Sequence, residues 1–296
     1  MKNPKRKAPF IGAGTALATP FSENGIDFPA LGAMIDYQIG AGIDALVLCG
    51  TTGESVTLTE KEYDAVTAFA AEKIHGRVPY LVGCGSADTA QAAAHAKIAH
   101  KNGADALLVV TPYYNKGNPD GIVRHYHLVA DVGNLPLLLY HVPARTGVRL
   151  RVDTVCRIAE HPLVCGIKEA SGDMEFFAAL AAALRDTLTL YSGCDALILP
   201  SLSLGGGGVI SVVSNLYPAQ TAQLCRLYAE GDTEAALAMQ LRLLPLIQLL
   251  FSDINPAPLK CALALRGMCN GRLRLPLAPV SHTLEEQLAQ AMRAFE

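Results

Sequence analysis

Eight short apolar runs recur along the chain, each ending near Gly, Thr or Pro, with longer, Ala-rich helical stretches between them. They span 12–21, 45–50, 80–85, 106–112, 137–143, 163–170, 188–193 and 208–213. Each has the length of a strand buried on both faces and lacks the polar alternation of a half-exposed one. Helical patterns fall at 28–40, 60–75, 89–101, 121–131, 153–160 and 175–184. Capping residues agree: Thr59 precedes Glu60 and Glu62, Asp88 opens the third helix and Gly103 closes it. Strands alternating with helices, with no glycine fingerprint after the first strand, predict an α/β fold: a closed (β/α)8 TIM barrel, not an open doubly wound sheet. Such a barrel takes roughly 250 residues. The last part of the chain reads only as helix, at 218–230, 233–251, 258–267 and 284–295. We therefore expect a catalytic barrel over 1–230 and a C-terminal helical appendage over 231–296, packed on the barrel or on a neighbouring subunit.

Composition supports a large core, with 51% apolar and 17% charged residues, and excludes disorder. The formal charge of −3 offers no basic excess for nucleic acid. Eight cysteines contain no CxxC and no zinc-type spacing, and read as reduced, mostly buried thiols. Residues 1–18, MKNPKRK followed by APFIGAGTALA, imitate a secretory leader, but Gly12, Gly14 and Thr15 interrupt the apolar part, and the same residues are needed as a first strand. The apolar stretch 235–251 carries Gln240, Arg242, Pro245 and Gln248, which suits a buried helix and not a membrane span. A soluble, cytoplasmic protein with no membrane partner is expected.

In barrels of this kind, chemistry gathers at the C-terminal strand ends. Those ends carry Thr51 and Thr52, Tyr113 and Tyr114, Tyr140 and Arg145, and Lys168. Lys168 stands inside the apolar run LVCGIKE, where burial disfavours the charged amine and favours the neutral nucleophile that attacks a ketone. The alternative is a lysine paired with a buried carboxylate, Glu169 or Glu54. Tyr140, on the adjacent strand, has a hydroxyl that can carry protons; equally, it can be a core tyrosine capped by a carbonyl. Arg145 can hold a carboxylate by two parallel bonds, or be a solvated loop charge. The GTTGES loop offers hydroxyls and amides for a carboxylate, or is a simple glycine turn.

GTTGES (50–55), TPYYN (111–115), LYHVPARTG (139–147), GIKEA (166–170) and GVISV (208–212) together resemble the dihydrodipicolinate synthase family of lysine-dependent aldolases. The likeness runs from about Gly12 to the NPAPLK and LRLPLAPV segments (255–260, 273–280). It implies condensation of pyruvate with aspartate semialdehyde in lysine and diaminopimelate biosynthesis, with no metal and no organic cofactor. By motif, it makes Lys168 the Schiff-base lysine and Tyr140 its proton donor and acceptor. Thr51 would link Tyr140 to Tyr114, contributed across a subunit interface of a homodimer or homotetramer. Thr52 would hold the pyruvate carboxylate, Ile210 and Gly193 would complete the substrate pocket, and Arg145 would receive the aldehyde's carboxylate.

Related aldolases, N-acetylneuraminate lyase and the 2-keto-3-deoxy sugar acid enzymes, share the strand-6 lysine and strand-5 tyrosine. Thr51 and Arg145 together favour the synthase, since the sialate lyases usually carry Ser at the first position and lack the second. A ligand-binding barrel without catalysis requires an inert lysine. Glycoside hydrolysis by Glu54 and Glu169 conflicts with strand parity, which turns Glu169 away from the face of Lys168. A phosphate cradle at 205–208 lacks a nearby Lys or Arg, so close packing is the expectation there. Feedback-inhibited relatives bind lysine through a histidine and a glutamate at positions where this chain offers Glu60, Tyr63 and Gln91. Weak or absent lysine inhibition follows from that resemblance.

Overall fold

The computed structural model describes residues 6–295; residues 1–5 of the charged leader-like segment lie outside the described residues. Eight parallel strands close into a barrel, each hydrogen-bonded to the next and the eighth to the first. They are β1 (Gly12–Ala16), β2 (Ala45–Leu48), β3 (Tyr80–Gly83), β4 (Ala106–Val110), β5 (Leu137–His141), β6 (Val164–Glu169), β7 (Thr189–Ser192) and β8 (Gly208–Ser211). The longer helices between them are α1 (Phe28–Gly40), α2 (Glu60–Ile74), α3 (Thr89–Lys101), α4 (Pro119–Gly133), α5 (Val152–Ile158), α6 (Met174–Leu184) and α7 (Ile198–Ser203), with α8 (Pro218–Ala229) after β8; a single helical turn, Pro143–Thr146, carries Arg145 after β5. Three further helices follow: α9 (Thr233–Leu250), α10 (Ala257–Leu265) and α11 (His282–Phe295). Among the described residues, no helix is long and apolar enough to cross a membrane.

Side-chain oxygens start the helices. Thr59 and Glu62 form a reciprocal capping box on α2, and Asp27, Asp88, Asn118, Asp173 and Asp232 each accept an amide of the following turn. Three expectations need correction. The first apolar run is a strand only to Ala16; Phe21–Ser22 pairs antiparallel with Gly25–Ile26 instead, because Pro20 has no amide to continue a ladder. The six-residue α7 escapes detection because it is too short to show a period. Helix α4 starts at Pro119, capped by Asn118, two residues before its apolar period begins at Gly121.

Two apolar layers result. Phe10, Val47, Leu81, Leu108, Leu138, Tyr140, Tyr191 and Ile210 fill the barrel interior, while Leu46, Val82, Leu107, Leu139 and Ile167 pack outward against the helices. In β5 the alternation is regular: Leu137 out, Leu138 in, Leu139 out, Tyr140 in. In β6 it is not. Leu137 pairs with Val164, yet Leu138 pairs with Gly166, so Cys165 is an extra residue in a β-bulge. Val164 and Ile167 both face outward, three residues apart, with Cys165 inward. Strict alternation from Val164 would send Lys168, four residues on, to the outer face. The bulge turns it into the barrel.

Within the glycine run 205–208, Gly206, Gly207 and Gly208 are closely packed. Gly208 has φ +150°, and a Cβ there would lie 1.8 Å from the carbonyl oxygen of Gly12 on the neighbouring strand. Only a missing side chain lets β1 and β8 close the barrel at this point. Gly208→Ala should therefore cost about 3 kcal/mol or more in chemical denaturation, as backbone overlap adds to strain. Gly40→Ala, where nothing lies within 4 Å, should be neutral or slightly stabilising. Equal stability of the two variants would contradict this account of closure.

Candidate active site

All eight residues singled out from the motifs lie at or near the C-terminal end of the barrel, where the strands deliver them. Lys168 and Tyr140 are the penultimate residues of β6 and β5 and register partners. The Lys168 amine sits 4.5 Å from the centroid of the Tyr140 ring, and the lysine is only 5% exposed. Neither carboxylate considered for it is available. Glu54 pairs with Lys260, and Glu169 pairs with His141 at 2.5 Å on the far side of the strands. Among the described residues, no carboxylate lies within ion-pair distance of Lys168. Gly193, just after β7, makes room for the lysine stem: a Cβ there would approach Lys168 Cε to 2.9 Å and Ala170 Cβ to 2.5 Å.

A cavity of about 260 Å³ opens over these strand ends, lined by Cys49, Thr51, Glu54, Tyr113, Tyr140, Arg145 and Asn255, with Pro256, Pro276 and Leu277 on its rim. Thr51, Tyr140 and Arg145 thus share one surface. Lys168, Thr52, Ile210 and Gly193 do not line it. Lys168 packs against the ring of the cavity-lining Tyr140, and Ile210 is fully buried in the interior layer. Thr52 is buried, and its hydroxyl accepts from Asn255 Nδ2 at 3.1 Å. Tyr114 stands apart: it is 92% exposed, in a left-handed conformation at φ +68°. Among the described residues, no hydrogen bond joins Thr51, Tyr140 and Tyr114, so the expected link is not made within one chain. The turn at Tyr114 sends its ring outward, away from its own cavity.

Cys49 lines the cavity, but burial pushes its thiol up to about 12, so it supplies almost no thiolate near neutrality. Among the described residues, no cluster of three or more His, Cys, Asp or Glu side chains could hold a metal ion. The site offers amine and phenol chemistry: a buried amine that can attack a carbonyl, a tyrosine whose ring it packs against, and Arg145 on the cavity wall for an anion.

The residues that hold this arrangement come largely from the C-terminal segment, and pattern reading missed them. Arg145 donates to the Asn255 carbonyl at 2.9 Å, tying the loop after β5 to the same residue that holds Thr52. Glu54, left-handed at φ +52°, is buried against Lys260, which is fully buried on α10 and also donates to the Arg272 carbonyl at 2.7 Å. Burial pulls the Lys260 amine below the ordinary lysine range, and Glu54 opposes the shift. The Arg274 amide donates to the second oxygen of Glu54 at 3.0 Å, and its guanidinium pairs with Glu62, lowering that carboxyl to about 2. Asp195 accepts from the amides of Val212 and Val213 and so fixes the turn after Ile210. A signal for Lys260 existed: a lone lysine within the apolar pattern of 258–267, the same cue that marked Lys168. At the positions compared with lysine-inhibited relatives, Tyr63 is buried and donates to the Gly83 carbonyl, while Gln91 accepts from Ser86 at 2.6 Å.

A closed parallel barrel whose mouth presents a buried, carboxylate-free lysine against a tyrosine defines a class, the lysine-centred (β/α)8 barrels. The sequence comparison narrows it. The chain matches the dihydrodipicolinate synthetase family over residues 9–295 and belongs to that family. It is 45% identical to the 4-hydroxy-tetrahydrodipicolinate synthase of an Exiguobacterium species over 97% of this chain and 98% of the relative. With that of Acetivibrio thermocellus it shares 41% identity over 98% and 99%. The structure of the synthase from Methylacidiphilum fumariolicum SolV superposes with a TM-score of 0.94 at 41% identity, covering 96% of this chain and 95% of that one. A structure described as the first monomeric dihydrodipicolinate synthase variant is also similar, with a TM-score of 0.94, 38% identity and 97% coverage of both chains.

The Glu54–Lys260 pair gives a direct test of how the mouth is held. Lys260→Met leaves a buried carboxylate unpaired, at an expected cost of about 3–5 kcal/mol in denaturation. Adding Glu54→Gln removes that charge and should restore at least half of the loss. A single variant as stable as the unaltered protein would show that the pair does not anchor the segment.

Proposed function

We propose that this chain condenses pyruvate with L-aspartate 4-semialdehyde to 4-hydroxy-tetrahydrodipicolinate, the committed chemistry of lysine and diaminopimelate biosynthesis, through a Schiff base on Lys168. One observation carries the assignment of the nucleophile: a buried lysine with no carboxylate partner, opposed to Tyr140 at the mouth of a barrel of this family. The enzyme is a lyase of the class I aldolase type. The neutral amine adds to C2 of pyruvate, and loss of water gives the imine. Proton loss from C3 gives an enamine, whose carbon attacks the aldehyde to form the new C–C bond. The amine of the second substrate then displaces Lys168 and closes the ring. Each addition and elimination needs a proton moved near C2, and the Tyr140 hydroxyl would carry it. Thr51 would relay that proton, Thr52 would hold the pyruvate carboxylate, Ile210 and Gly193 would shape the floor, and Arg145 would hold the aldehyde substrate's carboxylate. The site is a cytoplasmic one in this proposal.

Lys168→Ala should abolish the adduct trapped by borohydride in the presence of pyruvate; an adduct at full yield would move the nucleophile elsewhere. Tyr140→Phe should keep the fold and lower kcat by ~10²–10⁴, the usual share of general acid–base catalysis. An unchanged kcat would remove Tyr140 from the chemistry. Condensation with aspartate semialdehyde, against cleavage of sialic acid, separates the synthase from its aldolase cousins.

Tyr114 supports an assembly. A ring 92% exposed on a strained turn, beside the cavity-lining Tyr113, is placed to reach another molecule. We propose a homodimer or homotetramer in which Tyr114 completes the partner's site by joining Thr51 and Tyr140. Sedimentation at assay concentration should show at least a dimer, and Tyr114→Ala should lower both kcat and the dimer fraction. A fully active monomer would contradict it, which the existence of a monomeric variant elsewhere in the family makes a real alternative.

A further inference from the structure

Behind Lys168 and Tyr140, on the other face of the same two strands, lies a second pair in the next register position: His141 opposite Glu169. Both side chains are fully buried, the imidazole packing 5.1 Å from the Phe176 ring on α6. Their hydrogen bonds leave one arrangement. The Leu150 amide donates to His141 Nε2 at 3.1 Å, so that nitrogen carries no proton. The ring proton therefore sits on Nδ1 and is donated to Glu169 Oε2 at 2.5 Å. The other oxygen, Oε1, accepts the Ser171 amide at 2.6 Å. One histidine and one carboxylate thus join the end of β5, the end of β6, the returning end of the Arg145 loop and the start of the loop before α6.

The pairing matters because β5 and β6 are the strands whose register changes along their length. The bulge at Cys165 has already shifted one strand by a residue, and a second one-residue slip would put Glu169 inside the barrel and Lys168 outside. We propose that His141 and Glu169 are positioning residues for the imine chemistry, locking from outside the barrel the register that sets Tyr140 opposite Lys168 inside it. The proposal rests on Lys168 being the imine-forming residue.

Three variants test it through the rate of borohydride-trapped pyruvate adduct formation, read beside the melting temperature. In Glu169→Gln the shape is kept, but one oxygen now stands where two accepted, so the new NH2 faces either the Nδ1 proton or the Ser171 amide; moving the ring proton to Nε2 sets it against the Leu150 amide instead. His141→Asn keeps a donor near the Nδ1 position for Glu169, whereas His141→Gln reaches only the Nε2 position and leaves Glu169 without its donor. Glu169→Gln and His141→Gln should trap roughly 10- to 100-fold more slowly, and His141→Asn within about threefold of the unaltered enzyme, the scale expected of small misplacements of reacting groups. The proposal is overturned if Glu169→Gln traps within about twofold, if the two histidine variants trap equally fast, or if slower trapping merely follows loss of melting temperature. Should Glu169→Gln fail to fold, the histidine pair decides alone. No adduct in the unaltered enzyme, or one on a residue other than Lys168, would instead overturn the Schiff-base assignment.

Discussion

Everything at the mouth of this barrel depends on how β5 pairs with β6. A β-strand alternates its faces, so the direction of each side chain is settled by register and by any residue added to or removed from the count. The extra residue at Cys165 changes the parity of β6 and delivers Lys168 to the interior. An ammonium turned outward here would meet the helical layer; turned inward, it lies beside Tyr140 beneath the cavity. β-Bulges commonly occur next to active sites for this geometric reason.

The second constraint is electrostatic. Five charged side chains are buried near the mouth, and four have ion-pair or hydrogen-bond partners: Glu54 and Lys260 each other, Glu169 the imidazole of His141 and the Ser171 amide, and Asp195 the Val212 and Val213 amides. Lys168 alone lacks such a partner among the described residues. The pairing of its neighbours leaves this amine without a carboxylate at ion-pair distance. The C-terminal segment takes part in this arrangement directly, since Lys260, Asn255 and Arg274 fix the loops bearing Thr51, Thr52 and Arg145.

Local pattern made the barrel legible, because buried parallel strands are short apolar runs and the longer helices between them carry side-chain caps. The motifs by themselves put Lys168, Tyr140, Thr51 and Arg145 at one end of the barrel. Other features depend on distant contacts. No periodicity reports a single inserted residue such as Cys165, and a buried ion pair between residues 54 and 260 spans most of the chain. Helix α7 is too short for a period, and His141 looks like any strand residue until its partners are known. A motif marks Tyr114, but no motif says which way its ring turns.

The account's central claim is that the β5–β6 register presents Lys168 as a nucleophile beside Tyr140. A crystal structure of the protein soaked with pyruvate tests this most directly. The account predicts continuous density from the Lys168 Nζ to C2 of pyruvate, with the Tyr140 hydroxyl within hydrogen-bond distance of the bonded centre. Pyruvate bound without a covalent link to Lys168, or joined to a different amine, would contradict it.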